Sequence, residues 1–184
     1  QGTGVLLCGE KTCPLLEGGT GSQSREQEMP DFLPDRLESG TVNVAGIAGL
    51  FEGLQFVSKV GESEIAAWEC KLRDLVTEKL REVPGVTVYA SPDPQKQTGV
   101  LSFTCRQLPC EIVAQRLAEH NICVRAGLHC PPLAHSTAGT LETGTVRISP
   151  GWFQSVRQMR RFCDILAHIC GKESDQICDE VFTH

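Results

Sequence analysis

The sequence has no Cys-x-x-Cys pair, no apolar run long enough to cross a membrane, and no block of lysine and arginine interleaved with aromatics. Each absence removes a class of function. Without paired cysteines a structural zinc site would need ligands gathered from far apart in the chain, so no metal is expected. The longest apolar runs are strand-sized and broken by Gly or polar residues, and nothing in them resembles a secretory signal. The expectation is a folded, cytoplasmic protein with no membrane span. A formal net charge of −6 repels phosphate backbones, which excludes nucleic acid and anionic membranes as partners. There is no internal repeat and no low-complexity tract. Nor is there an initiator methionine. Gln1-Gly2-Thr3-Gly4 runs straight into Val5-Leu6-Leu7-Cys8, and the expectation is a chain cut inside a domain.

What the chain does contain is enough apolar residue for a core, 40% of 184 positions. Its ten cysteines are scattered through apolar segments such as Val5-Leu6-Leu7-Cys8 and Asn121-Ile122-Cys123-Val124, where most should act as small buried hydrophobes. Residues 4–8 read as a buried strand. Ile47, Leu50, Phe51, Leu54 and Val57 share one face of a helix over 45–60. A second helix over 62–81 turns Ile65, Trp68, Leu72, Leu75, Val76 and Leu80 inward. Pro84-Gly85 stops it, and strands follow at 86–89 and 100–103. Pro109 and Glu111 open a short helix over 109–120. Strands at 122–125 and 145–149 and a closing helix over 154–169 complete the pattern, with a polar tail after Gly171. Alternating strands and helices imply an α/β layer with helices on at least one face.

The connection between the last two strands, residues 126–144, is longer than most in a compact domain, and such loops tend to carry function. It holds His129, Cys130 and His135, with Arg125 and Arg147 on the strands at its two ends. Two guanidiniums beside a mobile thiol suit an anionic small substrate, because Arg grips a carboxylate in a fork while the cysteine attacks. Taken singly, each residue also has a structural explanation. Cys130 is one thiol among ten, His129 could cap a loop carbonyl, and Gly-Ser loops are usually only turns.

Four motifs, in order, resemble those of class V aminotransferase-fold enzymes, and within them the cysteine desulfurase and selenocysteine lyase group. They are Gly18-Gly19-Thr20-Gly21-Ser22, then Arg36-Leu37-Glu38-Ser39-Gly40-Thr41-Val42-Asn43-Val44-Ala45-Gly46-Ile47, then Arg125-Ala126-Gly127-Leu128-His129-Cys130, and last Gly144-Thr145-Val146-Arg147-Ile148-Ser149. The resemblance implies an α/β fold in which residues 1–58 end a large pyridoxal-phosphate-binding domain, residues 59–171 form a small C-terminal α/β domain, and residues 172–184 are a tail. It implies that Cys130 takes sulfur from substrate cysteine as a persulfide, with His129 positioning or protonating. It gives Arg147 the substrate carboxylate, with Arg125 as a second contact, and gives Thr41, beside Gly40, the cofactor phosphate in the partner subunit of a homodimer.

The lysine that forms the Schiff base with pyridoxal phosphate lies, by the same resemblance, upstream of Gln1. Neither Lys11 nor Lys59 matches its position, so the isolated chain is expected to be inactive. The intact protein is expected to mobilise sulfur, as in iron–sulfur cluster assembly, and to hand it to an acceptor protein. A selenocysteine lyase, a cysteine sulfinate desulfinase, another class V relative, or a non-catalytic thiol-rich binding module are the alternatives.

Overall fold

A computed structural model describes residues 2–9, 11–130 and 132–171, so the expected tail after Gly171 lies outside the described residues. The chain divides into two compact units, the first ending at Val60 and the second starting at Gly61.

The first unit holds one long helix, α1 (Val44–Val60), preceded by irregular chain. Asn43 fixes its start, because its side-chain oxygen accepts the Gly46 N–H at 3.0 Å and satisfies one of the donors a helix start leaves open. The space beside Gly46 is filled: an added Cβ would collide with Asn43 Nδ2 and Thr3 Cγ2. The apolar stripe expected on α1 is present but uncovered. No α1 residue is buried, and Ile47, Phe51 and Leu54 are each about half exposed.

The strand expected at residues 4–8 is not formed. This segment is irregular, and Val5, Leu6 and Leu7 are 70%, 71% and 93% exposed. A strand needs a neighbour to take its N–H and C=O groups, and among the described residues the first unit contains no other strand.

The second unit is an open antiparallel sheet with helices against one face. In chain order it runs α2 (Glu62–Arg81), β1 (Val86–Tyr89), β2 (Leu101–Cys105), α3 (Cys110–Glu119), β3 (Arg125–Gly127), α4 (Pro132–Ala138), β4 (Thr145–Ile148) and α5 (Val156–Gly171). The strand order is β1-β2-β4-β3, and every neighbouring pair is antiparallel.

Alternation along β2 and β4 sends Leu101, Phe103, Cys105, Val146 and Ile148 to the helix side. There they join Val76 and Leu80 of α2, Val113 and Leu117 of α3, and Phe162 and Leu166 of α5. Phe103 and Phe162 meet edge to face, centroids 6.3 Å apart. Each such side chain adds roughly 1.5–3 kcal/mol when removed from water, so this layer holds the unit together.

Two expectations change here. The third strand lies at Arg125–Gly127 rather than 122–125, because strand limits follow the partner: Arg125, Ala126 and Gly127 pair with Arg147, Val146 and Thr145. The connection 126–144 is no long loop either, since its first two residues are strand and its middle is α4. Among the described residues no helix is long and apolar enough to cross a membrane.

Candidate active site

On the side of the sheet away from the helices, one cross-strand row runs Tyr89, Ser102, Arg147, Arg125 through all four strands. Residues paired across an antiparallel ladder project to the same face, so the two guanidinium side chains stand as direct neighbours. Like charges placed this way repel. The ion pairs Arg73–Asp74, Lys79–Glu82 and Lys96–Asp93 involve neither arginine of the row. Arg147 Nε is moreover buried without a hydrogen-bond partner. A buried guanidinium nitrogen left open is costly, and a carboxylate bound between the two arginines removes both the repulsion and the missing bond.

Beside this row the chain leaves β3 in a tight turn. Gly127 has φ +110°, and His129 and Cys130 follow at φ +49° and +75°, left-handed values that non-glycine residues adopt rarely and at a cost of about 1–2 kcal/mol each. The turn exposes the Cys130 thiol. It turns the His129 ring the other way, where Nε2 lies 3.1 Å from the Thr145 carbonyl oxygen. A carbonyl only accepts, so Nε2 carries the hydrogen and Nδ1 keeps a lone pair. Nδ1 is buried and unpartnered. Burial lowers the His129 pKa from its ordinary 6.5, and the charges of Arg147, Arg125 and His135 push the same way, against the Thr145 bond. His129 is therefore held as a neutral imidazole with an open proton-accepting atom.

Two residues belong beside this turn although no chemical role for them follows from the sequence. His135 is the one buried residue of α4; its Nδ1 is 2.7 Å from Thr140 Oγ1, and its ring centroid is 6.2 Å from that of His129. Thr140 is 2% exposed. The available signal is Pro132, a proline suited to the first turn of a helix. A groove of about 1030 Å³ runs past the turn, bordered by Gly127, Leu128, Thr140, Leu141 and Gly144.

The remaining candidates, Thr41 and Gly40, sit in the first unit. Gly40 has φ +81° and its N–H is committed to the Gly19 carbonyl at 2.8 Å, while the Thr41 side chain is exposed. Gly40 therefore shapes the backbone, and the hydroxyl next to it is the available donor.

The other thiols divide differently from expectation. Of the nine described cysteines, Cys105, Cys110, Cys163 and Cys170 are buried, but Cys8 and Cys123, in the two segments read as buried, are exposed together with Cys13 and Cys130. Their apolar neighbours lie in irregular chain rather than in core strands. Burial raises Cys163 to about 11, which leaves it protonated and inert at neutral pH.

The chain as a whole is similar to known proteins. The family model for aminotransferase class-V proteins matches residues 1–162. A probable cysteine desulfurase of Methanothermobacter thermautotrophicus is 32% identical over 179 residues, covering 92% of this chain and 44% of the relative. One from Pyrococcus abyssi is 35% identical over 161 residues, covering 85% and 38%. The solved cysteine desulfurase of Thermococcus onnurineus superposes with a TM-score of 0.72 at 31% identity, over 85% of this chain and 39% of that one. The chain thus spans less than half the length of each of these relatives. With most of its own length inside the family match, the chain belongs to the aminotransferase class-V family.

Proposed function

We propose that the intact protein is a pyridoxal-phosphate-dependent cysteine desulfurase, which converts L-cysteine to alanine and keeps the sulfur as a persulfide on Cys130. The observation that carries this reading is one exposed thiol, on a strained turn, beside an arginine pair whose buried Arg147 Nε lacks a partner.

Arg147 and Arg125 bind the substrate carboxylate and orient its side chain toward the turn. The exposed Cys130 thiol gives its proton to solvent, while His129, held by the Thr145 carbonyl, positions the turn. The thiolate then attacks the substrate sulfur: an S–S bond forms, the substrate Cβ–S bond breaks, and the electron pair left on Cβ takes up a proton as alanine leaves. Atoms balance without an oxidant, since cysteine plus thiol gives alanine plus persulfide. Pyridoxal phosphate, when bound, supplies the electron sink that makes Cβ–S cleavage accessible. Of the residues present, the exposed Thr41 hydroxyl fits as a donor to its phosphate.

The same reading makes residues 1–58 the end of a cofactor domain, residues 59–171 a small domain, and the intact protein a cytoplasmic homodimer in which Thr41 serves the partner's site. The exposure of Cys130 leaves a persulfide there within reach of a sulfur-acceptor protein, as iron–sulfur cluster assembly requires.

The test is to assay the full-length protein and its Cys130→Ala variant for alanine released from L-cysteine. Wild-type turnover with an inactive variant of unchanged cofactor absorbance supports the assignment. Equal turnover by the variant removes Cys130 from the reaction, and preference for selenocysteine or cysteine sulfinate moves the substrate.

A further inference from the structure

The short helix α4 inverts the usual rule of burial. Leu133 is 82% exposed, whereas the one residue it buries is His135. A buried imidazole is costly unless its nitrogens are satisfied, and here Nδ1 is bound to the hydroxyl of Thr140 at 2.7 Å. Thr140 is itself fixed by two backbone bonds: its N–H donates to the His135 carbonyl at 2.9 Å, and its own carbonyl accepts the Gly144 N–H at 2.9 Å. Gly144 leads directly into Thr145, whose carbonyl holds His129 Nε2. The two histidine rings lie 6.2 Å apart and are inclined by 41°. The turn bearing Cys130 is thus enclosed by a closed circuit, from His129 to Thr145, back through Gly144 to Thr140, and through His135 to the His129 ring.

Two consecutive non-glycine residues in the left-handed region persist only where their surroundings over-determine them. The circuit supplies that constraint. We propose that His135, clamped by Thr140, is a positioning residue: it braces the His129 ring and thereby holds the His129–Cys130 turn in the conformation that presents the thiol toward the arginine row. Neither residue touches the reacting atoms in this proposal. Its relevance to sulfur transfer rests on the reading of Cys130 given above, but the conformational claim does not.

The groups that face His129 are Arg147 on β4, Arg125 on β3 and His135 on α4. Replacing His135 would change both position and charge, whereas Thr140→Val removes one hydroxyl and leaves every charge in place. The experiment therefore uses the histidine-labelled 184-residue chain and long-range proton–nitrogen spectra, which report tautomer and titration midpoint for each ring. In the wild type, His129 should be the Nε2–H tautomer with a midpoint below 6.5. In Thr140→Val the ring should lose its tautomer preference and its midpoint should rise toward 6.5, because burial is the largest cause of the depression. Thr140→Ser, which keeps the hydroxyl, should restore the wild-type values. His135→Asn, which keeps a polar atom near the Nδ1 position but no ring against His129, should behave like Thr140→Val. Should Thr140→Val not fold, as judged by its melting transition, the His129 tautomer in His135→Asn, which the lost charge does not set, carries the test.

In the full-length enzyme, Thr140→Val should lower kcat roughly 10-fold or more with KM little changed, the pattern of a misplaced reacting group beside an intact binding site. Unchanged His129 tautomer and midpoint in folded Thr140→Val and His135→Asn would overturn the proposal. If the spectra move as expected while Cys130→Ala proves fully active, the bracing stands and the reading of Cys130 falls.

Discussion

The two faces of the sheet, built from alternate residues of the same strands, have divided the work between them. On β4, Val146 is fully buried among helix side chains, while Arg147, one residue on, lies on the open face with Ser102 and Arg125 as its cross-strand partners. The helix side is apolar and closely packed. The open side carries like charges in register, a buried guanidinium nitrogen without a partner and a turn in left-handed backbone. One face stabilises the unit and the other is left unsatisfied in a way that a bound anion would complete. A single-residue step along a strand is enough to separate the two.

That division can be broken most severely at Arg147. In the intact enzyme, Arg147→Leu should remove the main contact to the substrate carboxylate. Losing one member of a buried charge pair costs about 3–5 kcal/mol, or roughly two to four orders of magnitude in kcat/KM. The unfolding midpoint of the same variant should hold or rise, since no partner is lost and an unsatisfied buried nitrogen disappears. A large fall in stability would show that the open face also serves packing.

The converse substitution on the covered face is Phe103→Ala. It should cost about 3–5 kcal/mol of unfolding free energy by denaturant titration, because Phe103 is fully buried and packs on Phe162. A loss under about 1 kcal/mol would mean that the layer is not the source of stability.

Gly144 sits where the two faces and the Cys130 connection meet. It has φ +61°, and an added Cβ would lie 3.0 Å from both Cys110 Sγ and Gly127 Cα. Gly144→Ala should therefore destabilise by about 1–3 kcal/mol from backbone strain and crowding together.

The smallest effect is a pH dependence. His129 has a lowered folded-state pKa, so its contribution to stability is fully present above 6.5 and is lost as pH falls through the folded value. Unfolding midpoints measured between pH 7 and 5 should fall slightly, and His129→Gln should remove that component.

The same contrast explains what was legible in the sequence. The covered face was, because its periodicity is imposed by burial: α2 occupies Glu62–Arg81 and β1 occupies Val86–Tyr89, as the apolar spacing and the Pro84-Gly85 stop indicate. The chemical residues were legible by type and order, Arg125, His129, Cys130 and Arg147, but their register was not. That Arg125 stands opposite Arg147 depends on where β3 pairs with β4, which shifts the strand onto Arg125–Gly127. Seven residues of α4 are too few for a periodic signal, and a buried histidine looks in sequence like any polar loop residue. In the first unit, Val5 to Leu7 read as core from hydrophobicity alone, yet no strand there pairs with them. The stripe on α1 was read correctly as a face, and hydrophobic spacing cannot say what covers a face.

The central claim is that Cys130, and no other exposed thiol, receives the substrate sulfur. It is tested most directly by incubating the full-length protein with L-cysteine, trapping thiols with an alkylating agent, and mapping the extra sulfur by peptide mass spectrometry. The account predicts one additional sulfur on the peptide containing Cys130, with alanine formed in equal amount, and none on the peptides containing Cys8, Cys13 or Cys123. Alanine formation with no added sulfur on Cys130, or with the sulfur on another cysteine, would contradict it.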